Sequence, residues 1–256
     1  MAPLSGLEDG LLDALAANCG NAYLHGARPM GKPWRVEEDL VLSDLGLPIA
    51  LPPNNATVLR SANGPDASRM IAERVRDFFS ASPGGGYEVW SIWPGLDLAS
   101  FGFAPERVPC LIRDLGGEAP RGPVELRVSE VEDDSGMRDA WRVIDEVFCD
   151  RRTPEPYWDA RVLRDDYRVW VGYVDGRAVT TATAFVDGDF VGVYAVATLA
   201  EARGRGYGEA VTWAATLCRR DLPATLQASE MGRPVYERMG YRTVATFTVW
   251  ERERES

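Results

Sequence analysis

Three β-rich runs in the second half of the chain place the strongest constraint on its fold. They read RVWVGYV, RAVTTATAFV and DFVGVYAVAT, and they are separated by Asp175-Gly176 and Asp187-Gly188. An Asp-Gly pair between two β-prone runs is a strong signal for a tight hairpin. We therefore predict an antiparallel meander of three strands that ends at Thr198.

The meander leads directly into a glycine-rich loop and a helix, in residues 198–220, TLAEARGRGYGEAVTWAATLCRR. Gly204, Gly206 and Gly208 have no Cβ, so their amides can approach an anion closely. The following helix adds its first unpaired N–H groups and the positive end of its dipole. Arg203 and Arg205 add positive charge beside it. The stretch predicts a phosphate-binding loop, with an ordinary glycine-rich turn as the alternative.

The spacing of this loop distinguishes three kinds of phosphate site. A nucleotide P-loop ends in Gly-Lys-Ser/Thr, which the loop lacks, and a dinucleotide loop needs a third glycine where this chain has Glu209. What remains is R-x-x-G-x-G at 203–208, called the glycine loop below. It resembles the pyrophosphate loop of the GNAT superfamily of N-acetyltransferases, which hold acetyl-coenzyme A with it.

Two further features carry the same resemblance. VYERMGY at 235–241 is similar to the family's signature near the end of the domain. The predicted order from 125 to 251, which is strand, helix, meander, loop and helix, strand, helix, strand, is that of the GNAT fold. The chain departs from the family at Ala200, where a proline is usual, and at Ser229, where an asparagine is common.

The resemblance implies an N-acetyltransferase in which a primary amine of a small molecule or peptide attacks the thioester of acetyl-CoA directly. It implies Tyr236 as the general acid that protonates the leaving thiolate. The coenzyme-binding residues that it implies are Val196, Ala197, Thr198, Arg203, Gly204, Arg205, Gly206, Tyr207, Gly208 and Ser229. The general base is not identified by the sequence; Glu230 and Asp189 are the candidates.

The first half of the chain repeats the second in a weaker form. Thr198 and Gly240 are 42 positions apart, and Ser61 and Gly102 are 41 apart, with a helix and a strand predicted inside each interval. Internal similarity of this kind is a fold-level signal. We predict an α/β (α+β) fold whose mixed, mostly antiparallel GNAT-type sheets are flanked by helices. It comprises a degenerate GNAT-like domain at 1–118 and a catalytic domain at 123–256. An unrelated α/β cap is the alternative for the first half.

Local patterns predict the remaining elements. In the first half we expect a helix in 4–18, strands at 39–44, 56–61 and 87–93, and a helix capped by Asp66. In the second half we expect a strand at 125–131 and a helix at 134–149 that turns Trp141, Ile144, Val147 and Phe148 inward. The helix that follows the glycine loop should be stopped by Pro223. A strand at 224–229, a short helix closed by Gly240 and a final strand complete the domain.

Composition excludes several classes of function. The formal net charge of −11 disfavours nucleic acid and anionic membranes as partners and favours a cationic amine. The four cysteines form no C-x-x-C pair and His25 is the only histidine, so no metal site is expected. The N-terminus lacks the pattern of a signal peptide, and we expect a cytoplasmic protein. A homodimer and a catalytically silent acyl-CoA sensor are open alternatives.

Overall fold

The computed structural model describes residues 10–47, 54–82, 85–150, 153 and 156–253. Their contacts divide the chain into two units, which we describe separately. Unit 1 contains the described residues up to Pro109 and those from Ala245 on, and unit 2 is Cys110–Val244. The sequence places the boundary between two domains between residues 118 and 123. That boundary stays a prediction.

Unit 1 is a sheet flanked by two long helices. Its elements are α1 (Leu11–Ala27), β1 (Trp34–Val36), β2 (Leu40–Asp44), β3 (Asn54–Val58), α2 (Pro65–Phe79), β4 (Gly86–Ser91) and most of β5 (Ala104–Arg113) and β11 (Arg242–Glu253). β1, β2 and β3 pair antiparallel, β3 pairs with β4 in parallel, and β4 pairs antiparallel with β11.

The two helices of unit 1 cover opposite faces of its sheet. On one face, α1 approaches closely at Gly20, where a Cβ would lie 3.1 Å from the Cβ of Thr57 and 3.2 Å from that of Val41. Neighbouring strand residues point to the other face, where they pack against α2. That core contains Leu40, Leu42, Ala56, Val58, Ile71, Val75 and Phe79.

Unit 2 is built on the same plan with a longer meander. Its elements are β6 (Arg127–Glu130), α3 (Asp134–Phe148), β7 (Tyr167–Val174), β8 (Arg177–Asp187), β9 (Phe190–Thr198), α4 (Tyr207–Thr216), β10 (Ala224–Gln227) and α5 (Arg233–Arg238). β6 to β9 pair antiparallel, β9 pairs with β10 in parallel, and β10 pairs antiparallel with residues 110–113 of β5. The apolar face of α4 packs on Ala182, Ala184, Val191, Val193 and Leu226.

The predicted meander is confirmed, and its first turn has the geometry that the sequence indicates. Asp175 and Gly176 both have positive φ, at 50° and 77°, as a two-residue type I′ hairpin requires. In the second hairpin Asp187 is the last strand residue and pairs with Phe190, so the turn is made by Gly188 and Asp189. The meander leads through Leu199 and a 3₁₀ turn, Ala200–Ala202, into the glycine loop.

The repeated topology of the two halves is also present in the structure. Each unit has an antiparallel meander, one parallel pair and a helix between the two parallel strands. A short helical turn follows in each, Ala99–Phe101 or α5, and a glycine with positive φ comes just after it, Gly102 at 82° and Gly240 at 89°. The predicted repeat of one fold in the two halves of the chain is therefore present.

Several local predictions were wrong at helix ends. The N-cap of α2 is Gly64 rather than Asp66, because Pro65 has no N–H and is favoured as the first helical residue. α4 ends at Thr216, so Pro223 does not stop it. α1 begins at Leu11 and runs to Ala27, and the earlier part of the predicted helix, with Leu7, lies outside the described residues.

One predicted core position was also wrong. Trp141 and Ile144 are buried as expected, but Val147 is only partly buried and Phe148 is 44% exposed.

No helix among the described residues is long and apolar enough to cross a membrane.

Candidate functional site

A β-bulge interrupts β9 shortly before its end. Thr181 pairs with Ala197 and Thr183 pairs with Tyr194, so Ala182 faces both Ala195 and Val196. Ala195 has a φ of 48°, which is uncommon for a residue with a Cβ. A bulge leaves one residue unpaired and disrupts the ladder locally, and bulges are over-represented beside active sites. The bulge therefore interrupts the β8–β9 ladder at Ala195 and Val196, directly before Ala197 and Thr198.

Hydrogen bonds fix the end of β9 on both sides. The Thr180 hydroxyl donates to the Ala197 carbonyl at 2.8 Å, and it lies 2.8 Å from the Thr198 hydroxyl. Nε of Arg203 donates to the Thr198 carbonyl at 3.1 Å. The first residue of the glycine loop is thus tied back to the strand that precedes it.

The glycine loop itself requires glycine for two different reasons. Gly204 and Gly206 have φ values of 75° and 79°, and Gly206 is the N-cap of α4, where no side chain makes a capping hydrogen bond. Gly208 has no such φ, but a Cβ there would lie 2.9 Å from Oγ1 of Thr198. The loop therefore leaves the N-terminus of α4 open to an anion.

Ser229, Gly232 and Tyr236 form the opposite wall. The Ser229 hydroxyl accepts a hydrogen bond from N–H of Gly232 at 3.2 Å. A Cβ on Gly232 would lie 3.3 Å from both Ser229 Oγ and the Tyr236 hydroxyl, and 2.9 Å from the Tyr236 ring. Gly232 is therefore needed for the close packing of this wall.

Tyr236 is a buried phenol that faces the cavity. Its side chain is 8% exposed, and burial raises its pKa to about 12. Its ring is 6.1 Å from that of Tyr241 in an edge-to-face arrangement. A phenol with this pKa stays protonated at neutral pH, so it is a proton donor.

The bulge, the glycine loop and this wall surround one cavity of about 410 Å³. All predicted site residues except Arg205 line it, and neither candidate base, Glu230 or Asp189, does. The full lining is Val147, Phe148, Val196, Ala197, Thr198, Ala202, Arg203, Gly204, Gly206, Tyr207, Gly208, Glu209, Thr212, Ser229, Met231, Gly232, Val235, Tyr236 and Arg238.

Sequence reasoning missed several of these lining residues. Phe148 and Met231 are 44% and 68% exposed at the cavity, although apolar residues on a predicted helix face are usually assigned to a core. Thr212 follows Gly208 by one helical turn and donates to its carbonyl at 2.6 Å, and this spacing could have identified it.

The charged lining residues leave the cavity net positive in an acidic protein. Glu209 is the only carboxylate among the lining residues that the structure describes, and its Oε2 lies 3.4 Å from a guanidinium nitrogen of Arg238. Arg203 and Arg238 together outweigh it by one charge. The chain as a whole carries a formal net charge of −11, so this cavity is a local exception that favours an anionic ligand.

Fold and cavity together define a class of protein: an α/β domain with an anion-binding loop and a neutral proton donor in one cavity. Residues 136–241 match the model of the acetyltransferase (GNAT) family. This segment of the chain is therefore similar to the GNAT family, whose members are acetyltransferases that use acetyl-CoA as co-substrate. Among the described residues, no cluster of His, Cys, Asp and Glu could hold a metal ion.

Solved structures with the same fold extend over most of the chain. A GCN5-related N-acetyltransferase from Kribbella flavida has a TM-score of 0.65 and 20% identity, covering 95% of this chain and 97% of its own. One from Sphaerobacter thermophilus has a TM-score of 0.55 and 16% identity, covering 78% and 71%. A tandem GNAT protein from the clavulanic acid biosynthesis pathway has a TM-score of 0.51 and 14% identity, covering 85% and 78%. No curated protein sequence matches the chain significantly.

Proposed function

We propose that the protein is an acetyl-CoA-dependent N-acetyltransferase that acetylates a primary amine of a small molecule or peptide by direct attack on the thioester. The observation that carries this proposal is a cavity of unit 2 that is lined by the glycine loop, the β9 bulge and Tyr236. We further propose that the protein acts in the cytoplasm and that its acceptor is cationic before it reacts. Nucleic acid and membranes are not proposed as partners.

The glycine loop would hold the pyrophosphate of the coenzyme. Its backbone fits that role, because Gly204, Gly206 and Gly208 leave no side chain over the first N–H groups of α4. Arg203 supplies a positive charge from a position fixed by its bond to Thr198. When bound, acetyl-CoA supplies an acyl group that is already activated as a thioester.

The bulged end of β9 would bind the pantetheine arm and the thioester oxygen. Backbone N–H groups of Val196 to Thr198 polarise a carbonyl there and stabilise the negative charge that develops on its oxygen. Ser229 would hydrogen-bond the pantetheine arm from the other wall. Because these donors are fixed by the strand and the turn, they need no reorganisation during the reaction.

Tyr236 would donate its proton to the departing thiolate. The hydroxyl remains protonated across the physiological range because burial holds its pKa at about 12. The amine loses its extra proton to water or to a group other than Glu230 and Asp189, since neither lines the cavity. Glu209 lies in the cavity but is paired with Arg238.

An acetylation assay tests this proposal. Acetyl-CoA is incubated with a panel of primary amines, and free thiol is followed with a chromogenic reagent. We expect thiol release that depends on both the enzyme and an amine, with the acetylated amine seen by mass spectrometry. Binding of acetyl-CoA without transfer to any amine would instead favour a coenzyme sensor, which the scarcity of carboxylates in the cavity supports.

A further inference from the structure

The segment that precedes β6 packs against the glycine loop. A hydrogen bond from Leu126 N–H to the Pro123 carbonyl, at 3.2 Å, closes a turn there. A Cβ built on Gly206 would lie 3.5 Å from Cγ of Pro123, and one built on Gly122 would lie 3.6 Å from Cβ of Ala210. Gly122, which lies between the two predicted domains, and Pro123 therefore lie against the start of α4.

Glu125 in this turn binds the first residue of α4. The Tyr207 hydroxyl donates to Oε1 of Glu125 at 2.8 Å. Tyr207 is 2% exposed, so its ring is fixed in the domain while its hydroxyl reaches the surface carboxylate. The carboxylate thereby holds Tyr207, the residue that follows Gly206. The amide of Tyr207 is part of the open helix end.

Arg205 belongs to the same cluster. It is exposed and is the one predicted site residue that does not line the cavity. The pKa of Tyr207 is raised, chiefly because its hydroxyl donates to Glu125, while Arg205 acts in the opposite direction. The pKa of the Glu125 carboxyl is lowered by its backbone hydrogen bond, then by Tyr207, with Arg205 contributing. Glu125 and Tyr207 are thus joined by a hydrogen bond beside the loop, and the charge of Arg205 acts on the pKa of both.

We propose that Glu125 is a positioning residue of the glycine loop that sets how tightly the loop holds a pyrophosphate. Its hydrogen bond fixes Tyr207 at the start of α4, and its negative charge offsets that of Arg205. The two contributions have opposite signs for an anionic ligand, because a fixed helix end binds an anion better and a nearby carboxylate repels it. That the natural ligand is an acyl-CoA rests on the proposed function.

Two substitutions separate these contributions. Glu125→Gln removes the charge, and its amide oxygen can still accept from the Tyr207 hydroxyl. Tyr207→Phe removes the hydrogen bond and leaves both charges in place. Glu118→Gln, in the same exposed segment, is the matched control for the loss of one negative charge.

The test is calorimetric titration of the four proteins with inorganic pyrophosphate and with coenzyme A, each folded by circular dichroism. For both ligands we expect Glu125→Gln to bind about two- to fivefold more tightly than Glu118→Gln at low ionic strength, with the difference lost near 0.5 M salt because exposed charges are screened. Tyr207→Phe should bind about threefold or more weakly at either salt concentration. A merely structural role of Glu125 would not tighten binding in a salt-dependent manner.

Each other outcome has a definite meaning. Equal affinities of Glu125→Gln and Glu118→Gln overturn the role of the charge, and an unchanged affinity in Tyr207→Phe overturns the role of the hydrogen bond. If Tyr207→Phe does not fold, Glu125→Gln decides the proposal. If pyrophosphate binds and coenzyme A does not, the acetyltransferase proposal fails, and the role of Glu125 is judged on pyrophosphate alone. If neither binds, both fail.

Discussion

Tyr236 is the single side chain to which we assign a chemical step. It stands on α5, and its hydroxyl lies near Ser229 and Gly232 at the cavity wall. Burial keeps the Tyr236 hydroxyl protonated, so the donor form is present at any physiological pH. The ring and the hydroxyl therefore have separable roles, packing for the ring and proton donation for the hydroxyl.

Tyr236→Phe should lower kcat at least about tenfold, since general acid catalysis contributes roughly 10²- to 10⁴-fold and a thiolate is a good leaving group. The dissociation constant of acetyl-CoA should change little, because the ring is retained. The control is Tyr241→Phe, which removes a buried hydroxyl bonded to Thr216 at 2.7 Å, outside the cavity lining. That variant should lose about 1 kcal/mol of stability and keep its kcat. A wild-type kcat in Tyr236→Phe would assign Tyr236 to packing.

Glu88 is a residue-scale feature of unit 1 with a consequence for stability. Burial raises its pKa to about 7, with smaller contributions from Glu251 and Glu106, while a hydrogen bond from Trp90 Nε1 at 2.6 Å opposes the rise. Glu251 is its cross-strand partner on β11. The folded-state pKa exceeds the unfolded one, so this group's contribution is fully present below about pH 4.5 and is lost as the pH rises through about 7.

Glu88→Gln should therefore stabilise the protein at pH 8 relative to the wild type, by about 1–3 kcal/mol, since each pKa unit corresponds to about 1.4 kcal/mol. The advantage should shrink toward pH 5, where the wild-type carboxyl is largely protonated in the folded state. Thermal unfolding followed by circular dichroism at both pH values measures this, with the exposed Glu73→Gln as control. A Tm difference that does not depend on pH would show that Glu88 does not titrate in this way.

Among the elements, α3 is tied to the chain that follows it by a buried carboxylate. The Asp145 carboxylate accepts hydrogen bonds from both the N–H and the hydroxyl of Thr153, the former at 2.9 Å. Nε1 of Trp141 donates to the Thr153 carbonyl at 2.7 Å. The last turn of α3 carries Val147 and Phe148, which line the cavity, so this attachment supports one of its walls.

Asp145→Ala should destabilise the protein by about 1–3 kcal/mol, because it leaves the buried donors of Thr153 without an acceptor. Hydrogen exchange should speed up around Thr153 and the end of α3 before it does so in β8. Arg142→Gln on the same helix removes an exposed guanidinium that pairs with Asp139, and it should cost less than about 0.5 kcal/mol. Unchanged exchange around Thr153 in Asp145→Ala would mean that other contacts hold this segment.

The elements also show what the sequence can predict. The meander followed from Asp175-Gly176 and Asp187-Gly188, and the end of α5 followed from Gly240, because these residues have strong local backbone preferences. The bulge at Ala195 has no such signal, since alanine rarely adopts positive φ and only the pairing with Thr181 and Thr183 produces it. Start and stop signals failed where two competed, as when Pro65 rather than Asp66 determined the start of α2.

The candidate site likewise contains residues that the sequence could identify and residues that it could not. The glycine loop could be identified because phosphate binding requires backbone freedom that only glycine provides, and Tyr236 through a family signature. Phe148 and Met231 could not be identified, because exposure at a cavity depends on tertiary packing. The hydrogen bond that Glu125 accepts from Tyr207 joins residues 82 positions apart in the chain. Long-range pairing of this kind leaves no local pattern.

At the scale of the whole molecule, the chain has two units with one topology and one glycine loop. The helix of unit 1 that corresponds to α4 is α2, and it begins at Gly64 in the sequence SANGPDAS, which lacks the R-x-x-G-x-G spacing. We therefore expect one coenzyme per chain, bound by unit 2. A contribution of unit 1 to the choice of acceptor, and a homodimer, stay predictions.

The central claim is that the glycine loop of unit 2 binds acetyl-CoA, and titration calorimetry tests it most directly. Wild-type protein should bind acetyl-CoA with a stoichiometry near one. Gly206→Ala introduces the strain of a Cβ at a φ of 79°, and Gly206→Asp adds a carboxylate at the helix end. Folded Gly206→Asp should bind at least about tenfold more weakly than Gly206→Ala, since a like charge at close range costs about 1–4 kcal/mol. No binding by the wild type, a stoichiometry near two, or equal affinities of the two variants would contradict the account.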